Sequence, residues 1–84
     1  MYAKRQDVRR DVGKAIKYFE IAIEGGDAKA AYNLGVLYAD GQDMRKDVGK
    51  AVKYFEIAIE RGNADAAYNL GVTYAQGQDV RKDV

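Results

Sequence analysis

Three aspartates near the middle of the chain are the first candidates for a chemical site. Asp40, Asp43 and Asp47 lie close together in sequence, and carboxylate oxygens are ligands that calcium prefers. A calcium-binding loop, however, supplies an oxygen ligand at nearly every second position, and this segment lacks that density. We therefore predict that the chain holds no metal and no other cofactor.

The residue types needed for nucleophilic or acid–base catalysis are largely missing. The 84 residues include no histidine, cysteine, serine, proline or tryptophan, and the side-chain hydroxyl groups belong to Thr73 and seven tyrosines. A nucleophile paired with a base that titrates near neutral pH cannot be assembled from this set. We expect that the chain is not an enzyme.

Side chains suited to recognition recur at a fixed distance. Tyr32 and Asn33 return 36 positions later as Tyr68 and Asn69. An asparagine amide can hydrogen-bond a peptide backbone, and tyrosine is enriched in the hot spots of interfaces. A residue that recurs once per period can equally pack against or hydrogen-bond the neighbouring repeat, so both interpretations stay open here.

The period of 36 residues extends through almost the whole chain. Residues 12–47 align with 48–83 without a gap, and seven positions differ, which leaves 29 of the 36 identical. Self-similarity at a fixed period is typical of a solenoid of stacked repeats. We predict a single helical-repeat domain, 1–84, made of a partial repeat at 1–11, a repeat at 12–47 and a repeat at 48–84 that stops before its last helix.

Composition narrows the class of partner. The net charge of +1 gives no overall attraction to nucleic acid, and 48% hydrophobic residues beside 32% charged residues is a globular balance. No apolar segment approaches the roughly 20 residues of a membrane span. We expect neither nucleic acid nor membrane as a partner, and nothing in the composition indicates a compartment.

Apolar spacing and capping residues predict four helices. Apolar side chains recur at intervals of three and four, as helical amphipathicity requires. Asp11, Asp27, Asp47 and Asn63 stand where N-caps are expected. The predicted helices are 12–24, 28–40, 48–61 and 64–76, and turns of about three residues make paired helices antiparallel.

The N-terminal partial repeat leaves two possibilities open. Arg5 stands where the later repeats have the glycine that ends a helix, and apolar residues continue at helical spacing from Val8 to Ile23. Residues 3–24 could therefore form one long helix. Gly13 weakens that helix, and the alternative is a frayed start.

The motif A-x-A-A-Y-N-L-G-V-x-Y-A-x-G occurs at 28–41 and again at 64–77. With the segment between its two copies, it resembles the Sel1-like branch of the tetratricopeptide superfamily. The period exceeds the 34 residues of the standard tetratricopeptide repeat by two. This resemblance implies an all-α fold, an alpha-alpha superhelix or solenoid of antiparallel helix pairs with about four helices.

In that family the first helix of each unit lines a concave groove, which implies that 28–40 and 64–76 are groove helices. The resemblance therefore suggests a protein–protein interaction scaffold, a fragment of a longer repeat adaptor, that binds a peptide or a partner helix. By analogy, the candidate contact residues are Lys29, Tyr32, Asn33, Val36 and Asp40 in the first groove helix and Asp65, Tyr68, Asn69, Val72 and Gln76 in the second.

A second hypothesis is a self-assembling structural unit, natural or engineered. Repeat arrays need about three repeats and polar capping surfaces to be stable alone. In this chain Val12, Val48 and Val84 occupy equivalent positions of the 36-residue repeat. A homo-oligomer is then expected, formed by stacking of exposed solenoid ends, by a shared N-terminal helix, or by swapping a helix across the loop at 41–47.

Overall fold

The computed structural model describes residues 11–41 and 46–77, and these form four α-helices. The helices are α1 (Val12–Glu24), α2 (Ala28–Asp40), α3 (Val48–Glu60) and α4 (Ala64–Gln76). The predicted all-α class is confirmed, and the described residues contain no strand. The third helix ends at Glu60, one residue earlier than predicted, because Arg61 forms its C-terminal cap.

Each helix begins at a side chain that caps it. The carboxylate of Asp11 accepts a hydrogen bond from the backbone N–H of Lys14 at 3.1 Å, and Asp27, Asp47 and Asn63 accept equivalent bonds. Such bonds satisfy backbone donors that have no partner in the first turn of a helix. Asp11 has an extended backbone, with φ −125° and ψ 92°. α1 therefore starts at its cap and is not part of a continuous helix from residue 3, while residues 1–10 lie outside the described part of the chain.

The connection from α2 to α3 returns to α2 before the next helix begins. Gly41 ends α2 in the left-handed conformation, with φ 61°. A Cβ atom at this position would lie 2.7 Å from the Cα of Lys46, so only glycine fits. The backbone N–H of Asp47 then donates to the carbonyl of Tyr38 at 3.0 Å. This bond fixes the start of α3 beside the last turns of α2.

The interface between α2 and α3 holds the centre of the core. Leu34 and Phe55 are the largest side chains that are fully buried. A Cβ atom at Gly35 would lie 2.6 Å from two carbons of the Phe55 ring. A glycine inside a helix costs about 1 kcal/mol relative to alanine. The close approach of the ring explains why this position carries one.

A layer of aromatic and charged side chains connects α3 with both preceding helices. The rings of Tyr38 and Tyr54 are stacked, with centroids 5.8 Å apart and planes 6° apart. The Nζ of Lys50 lies 5.4 Å from the centroid of the Tyr38 ring. The Tyr54 hydroxyl donates to the carboxylate of Glu20 in α1 at 3.2 Å. Burial raises the pKa of Tyr54, and the negative charge of Glu20 and this hydrogen bond add to the rise.

One of the positions that differ between the repeats makes a contact of its own. Arg61 occupies the place that Gly25 has in the first repeat. Its guanidinium donates a hydrogen bond to the carbonyl of Ile23. A cation near the last carbonyls of a helix is also favoured by the helix dipole. Arg61 therefore ties the end of α3 to the end of α1.

Replacing Gly35 with alanine should lower the free energy of unfolding. The added methyl group would overlap the Phe55 ring, and overpacking of this kind costs roughly 1–3 kcal/mol. Gly71→Ala is the matched control, because no atom of the described residues lies within 4 Å of a Cβ atom built there. That variant should gain up to about 1 kcal/mol from helix propensity. Urea unfolding followed by circular dichroism at low protein concentration measures both, and equal effects would contradict the packing described.

Tyr54 should make the stability of the protein sensitive to alkaline pH. Its folded-state pKa is raised, so its contribution is complete below the unfolded value of about 10 and is lost as pH rises through the folded value. Tyr54→Phe removes this group. The free energy of unfolding of the variant should therefore fall less steeply than that of the wild type between about pH 9 and about pH 11. Urea titrations at these two pH values make the comparison, and identical slopes would rule out the proposed coupling.

Candidate functional site

A cavity of about 550 Å³ lies between the two predicted groove helices. Pockets that bind ligands usually measure roughly 300–1,000 Å³. We call this cavity the α2–α4 crevice. Its lining consists of Tyr32, Val36, Ala39 and Asp40 from α2, Lys46 from the connection, Val48 and Phe55 from α3, and Asn69, Val72, Thr73 and Gln76 from α4.

The lining combines an apolar interior with polar groups. Phe55 and Val48 are buried and close the side formed by α3. The polar side chains come from α2, from the connection and from α4, and they include one acid, Asp40, and one base, Lys46, both exposed. Because Phe55 and Val48 are buried, the surface that the lining presents to solvent is more polar than apolar.

Six of the ten predicted contact residues line the α2–α4 crevice and four lie outside it. Lys29 and Asp65 are exposed in the first turns of α2 and α4, Asn33 is half-buried, and Tyr68 is 73% exposed. The six that line it are Tyr32, Val36, Asp40, Asn69, Val72 and Gln76.

The division between these two groups follows only in part from the repeat. Near the C-terminal ends of α2 and α4, equivalent positions of the two helices line the crevice, whereas near their middle the two helices contribute different positions. Tyr32 of α2 and Asn69 of α4 point toward each other across it. Their sequence equivalents, Tyr68 and Asn33, therefore lie on the outer sides of the pair, toward the positions of a following and a preceding repeat.

A hydrogen bond between the repeats crosses the α2–α4 crevice. The side-chain amide of Asn69 donates to the Tyr32 hydroxyl at 3.1 Å. The Tyr32 ring packs on Phe55, with centroids 6.1 Å apart and planes 43° apart. The hydroxyl of Thr73 donates to the backbone carbonyl of Asn69 at 2.9 Å. Of the two interpretations left open for the recurring tyrosine and asparagine, Tyr32 and Asn69 show the hydrogen bond to the neighbouring repeat. This bond and the contact with Phe55 hold the Tyr32 ring in one orientation.

Five residues of the lining were not predicted from the sequence. Phe55 and Val48 belong to α3, which was not predicted to be a groove helix, yet they line the α2–α4 crevice between its two walls. Thr73 could have been identified from the sequence as a candidate, because it replaces the apolar Leu37 at one of the few positions where the repeats differ. The remaining two, Ala39 and Lys46, carried no signal of this kind.

Residues 11–41 and 46–77 contain neither a candidate metal site nor a helix able to span a membrane. No three histidine, cysteine, aspartate or glutamate side chains there are grouped so that they could hold a metal ion. Asp43 lies outside these ranges. In the same part of the chain, none of the helices combines the length and the apolar character needed to cross a membrane.

Comparison with protein families gives one match that extends over the whole chain. The family model described as Sel1 repeat matches three consecutive segments, residues 1–27, 28–63 and 64–84. The middle segment contains α2 and α3, the two helices that meet at Gly35 and Phe55. No individual curated protein and no solved structure shows significant similarity to the chain.

Removing the bond across the α2–α4 crevice should lower stability by roughly 0.5–1.5 kcal/mol. In a double-mutant cycle of Asn69→Ala and Tyr32→Phe, the two losses should not add, because either substitution alone removes the same hydrogen bond. Asn33→Ala is the matched control, since Asn33 occupies the equivalent position and faces away from this pair. Urea unfolding of the four proteins gives the coupling energy, and additive losses would show that the bond contributes nothing.

Proposed function

Because the chain belongs to the Sel1 repeat family, we propose that it is a scaffold that binds a peptide or one face of a partner helix in the α2–α4 crevice. Sel1 repeats are generally protein–protein interaction modules. The observation that carries the proposal is the α2–α4 crevice itself, with its apolar interior and polar groups.

A catalytic role is not part of this proposal. The Sel1 repeat is a non-catalytic interaction repeat. The chain also lacks histidine, cysteine and serine, which most nucleophilic or acid–base sites use. Turnover of a substrate by the purified protein would overturn this part of the proposal.

The interior of the α2–α4 crevice suits an apolar side chain of the ligand. Val36 and Val72 approach it from the two walls, and Phe55 closes it from below. Phe55 is fully buried and holds Tyr32 by a ring contact. A pocket whose walls are already ordered loses little conformational entropy on binding, so a single anchoring side chain can contribute a large share of the affinity.

The polar groups of the α2–α4 crevice suit the backbone of the same ligand. An extended peptide carries one N–H and one C=O group at nearly every residue. The Asp40 carboxylate can accept from such N–H groups, and the Lys46 ammonium can donate to carbonyls or to a carboxylate. Charges of opposite sign on one binding surface favour one direction of the bound chain.

The four candidate residues outside the α2–α4 crevice extend the proposed surface. Lys29 and Asp65 stand at equivalent positions of α2 and α4 with opposite charge. They would contact only a ligand long enough to pass the first turns of both helices. We propose that substitutions at Lys29 or Asp65 weaken the binding of a long ligand and leave a short one unaffected, while Asn33 and Tyr68 contact ligand segments beyond the two repeats.

Val72→Glu should weaken peptide binding by roughly tenfold or more, because it places a charge in the apolar interior of the α2–α4 crevice. The probe is a peptide selected on the purified protein from a displayed random-sequence library and then synthesised with a fluorescent label. Fluorescence polarisation gives the Kd for the wild type and the variant, and circular dichroism shows whether each remains helical.

Lys53→Glu is the control, since Lys53 is exposed on α3 and does not line the α2–α4 crevice. It should leave the Kd unchanged. A folded Val72→Glu variant with wild-type affinity would contradict the proposed site. A library that yields no specific peptide would contradict peptide binding itself.

A unit that assembles with copies of itself is the second candidate function, and one observation favours it. α2 has five buried residues, whereas α4 has one, Ala66, although the two helices have nearly the same sequence. α4 therefore presents to solvent a surface that α2 packs against α3. Exposed apolar surfaces of this kind are common at protein–protein interfaces.

A further inference from the structure

We propose that copies of this chain associate head to tail, with α4 of one copy packed against α1 of the next as α2 packs against α3 within a copy. The inference specifies the surfaces and the register of self-assembly, and it rests on the second candidate function. The occupant of the exposed face of α4 is thus α1 of a second copy.

The two surfaces are already known to fit each other, because the chain contains the same pair joined internally. α1 and α3 differ at one position, where Ile16 is replaced by Val52. α2 and α4 differ at three positions, and none of them corresponds to Gly35 or Tyr38. A new contact between α4 and α1 would therefore repeat the observed interface almost residue for residue.

The pattern of exposure supports this register. Tyr74 is 51% exposed while Tyr38, one period earlier, is 8% exposed, and Ile59 is 37% exposed while Ile23 is 8% exposed. The three other large apolar side chains that the described residues expose also have half-buried equivalents packed on the core. These pairs are Tyr18 (60% exposed) with Tyr54, Ile21 (55%) with Ile57, and Tyr68 (73%) with Tyr32. If α4 of one copy packs against α1 of the next, all five exposed side chains become covered in the way that their equivalents are covered within one copy.

Gly71 is the centre of the proposed contact. No atom of residues 11–41 and 46–77 lies within 4 Å of a Cβ atom built at Gly71, whereas at Gly35 the Phe55 ring fills that space. Phe19 of the next copy is the equivalent of Phe55. Its ring would lie against Gly71, so α4 already has the small residue that such a close approach requires.

The aromatic layer also has its counterparts on the two end helices. Tyr18 of the next copy would stack on Tyr74, as Tyr54 stacks on Tyr38. Its hydroxyl would donate to Glu56 of the first copy, the equivalent of Glu20. Lys14 would lie over the Tyr74 ring, because Lys50 lies over the ring of Tyr38.

The two predicted contact residues on the outer sides of the groove helices meet in the same arrangement. Asn33 of the next copy would donate to the hydroxyl of Tyr68, as Asn69 donates to Tyr32 within one copy. The crevice between α2 and α4 would then be repeated between copies. In the assembly, Asn33 and Tyr68 therefore contact a second copy, whereas in a single copy they stay accessible to a ligand.

One difference makes this contact weaker than the one inside the chain. Gly25 stands where the internal interface has Arg61, so the bond from Arg61 to the carbonyl of Ile23 has no counterpart. Association should therefore depend on concentration. Because the two surfaces differ, the contact does not close on itself and can continue into a linear array.

Sedimentation velocity over a wide range of protein concentration tests the proposal. The wild-type weight-average mass should rise with concentration beyond that of a dimer. Gly71→Gln should block the α4 end, because any side chain meets the incoming Phe19. Tyr18→Glu should block the α1 end, because it removes the stacking ring and places a carboxylate beside Glu56. Both positions are exposed, so each variant should remain helical and stay monomeric.

An equimolar mixture of the two variants provides the decisive comparison. One variant keeps an intact α1 and the other an intact α4, so the mixture should form a dimer of twice the monomer mass and nothing larger. A mixture that stays monomeric, a single variant that assembles like the wild type, or a wild type that is monomeric throughout would overturn the proposal.

The same variants separate this inference from the proposed peptide binding. Neither Gly71 nor Tyr18 lines the α2–α4 crevice. Both variants should therefore bind the selected peptide with wild-type affinity, whereas Val72→Glu should lose it. Loss of assembly and loss of peptide binding can thus be observed independently.

Discussion

The contact between the Phe55 ring and Gly35 is the constraint on which the rest of the structure depends. Because Gly35 has no side chain, α2 and α3 approach closely enough to bury the small residues Ala31, Ala51 and Ala58 between them. The same ring closes the α2–α4 crevice and packs on Tyr32. The core and the candidate site therefore share one side chain, and a substitution of Phe55 would alter both at once.

Equivalent residues in this chain have different environments, since burial in a solenoid is decided by the neighbouring unit. Leu34 is fully buried and Leu70 is half-buried, although the residues around them are nearly identical. The reason is that α3 covers α2, while none of the described helices covers α4 in the same way. The near-identity of the repeats thus makes each a control for the other, as Gly35 and Gly71 illustrate.

The sequence predicted the helices well because their boundaries depend on local chemistry. Asp11 and Asp27 cap the helices expected to follow them. Arg61 was predicted to belong to the third helix, because its side chain carries no local signal that ends a helix. In the structure this helix ends at Glu60, and Arg61 is its C-terminal cap. The lining of the α2–α4 crevice was harder to predict. A period of 36 assigns the same positions to both groove helices, whereas the crevice takes Tyr32 from α2 but Asn69 from α4, and it also reaches Phe55 of α3.

The proton chemical shifts of the two equivalent glycines test the central packing contact most directly. In a dilute sample, one Hα of Gly35 should give a strong nuclear Overhauser effect to the ring protons of Phe55 and should be shifted upfield by the ring current. The Hα protons of Gly71 should show neither effect, because no aromatic ring among the described residues lies beside them. Closely similar shifts for Gly35 and Gly71, with no effect between Gly35 and Phe55, would contradict the account.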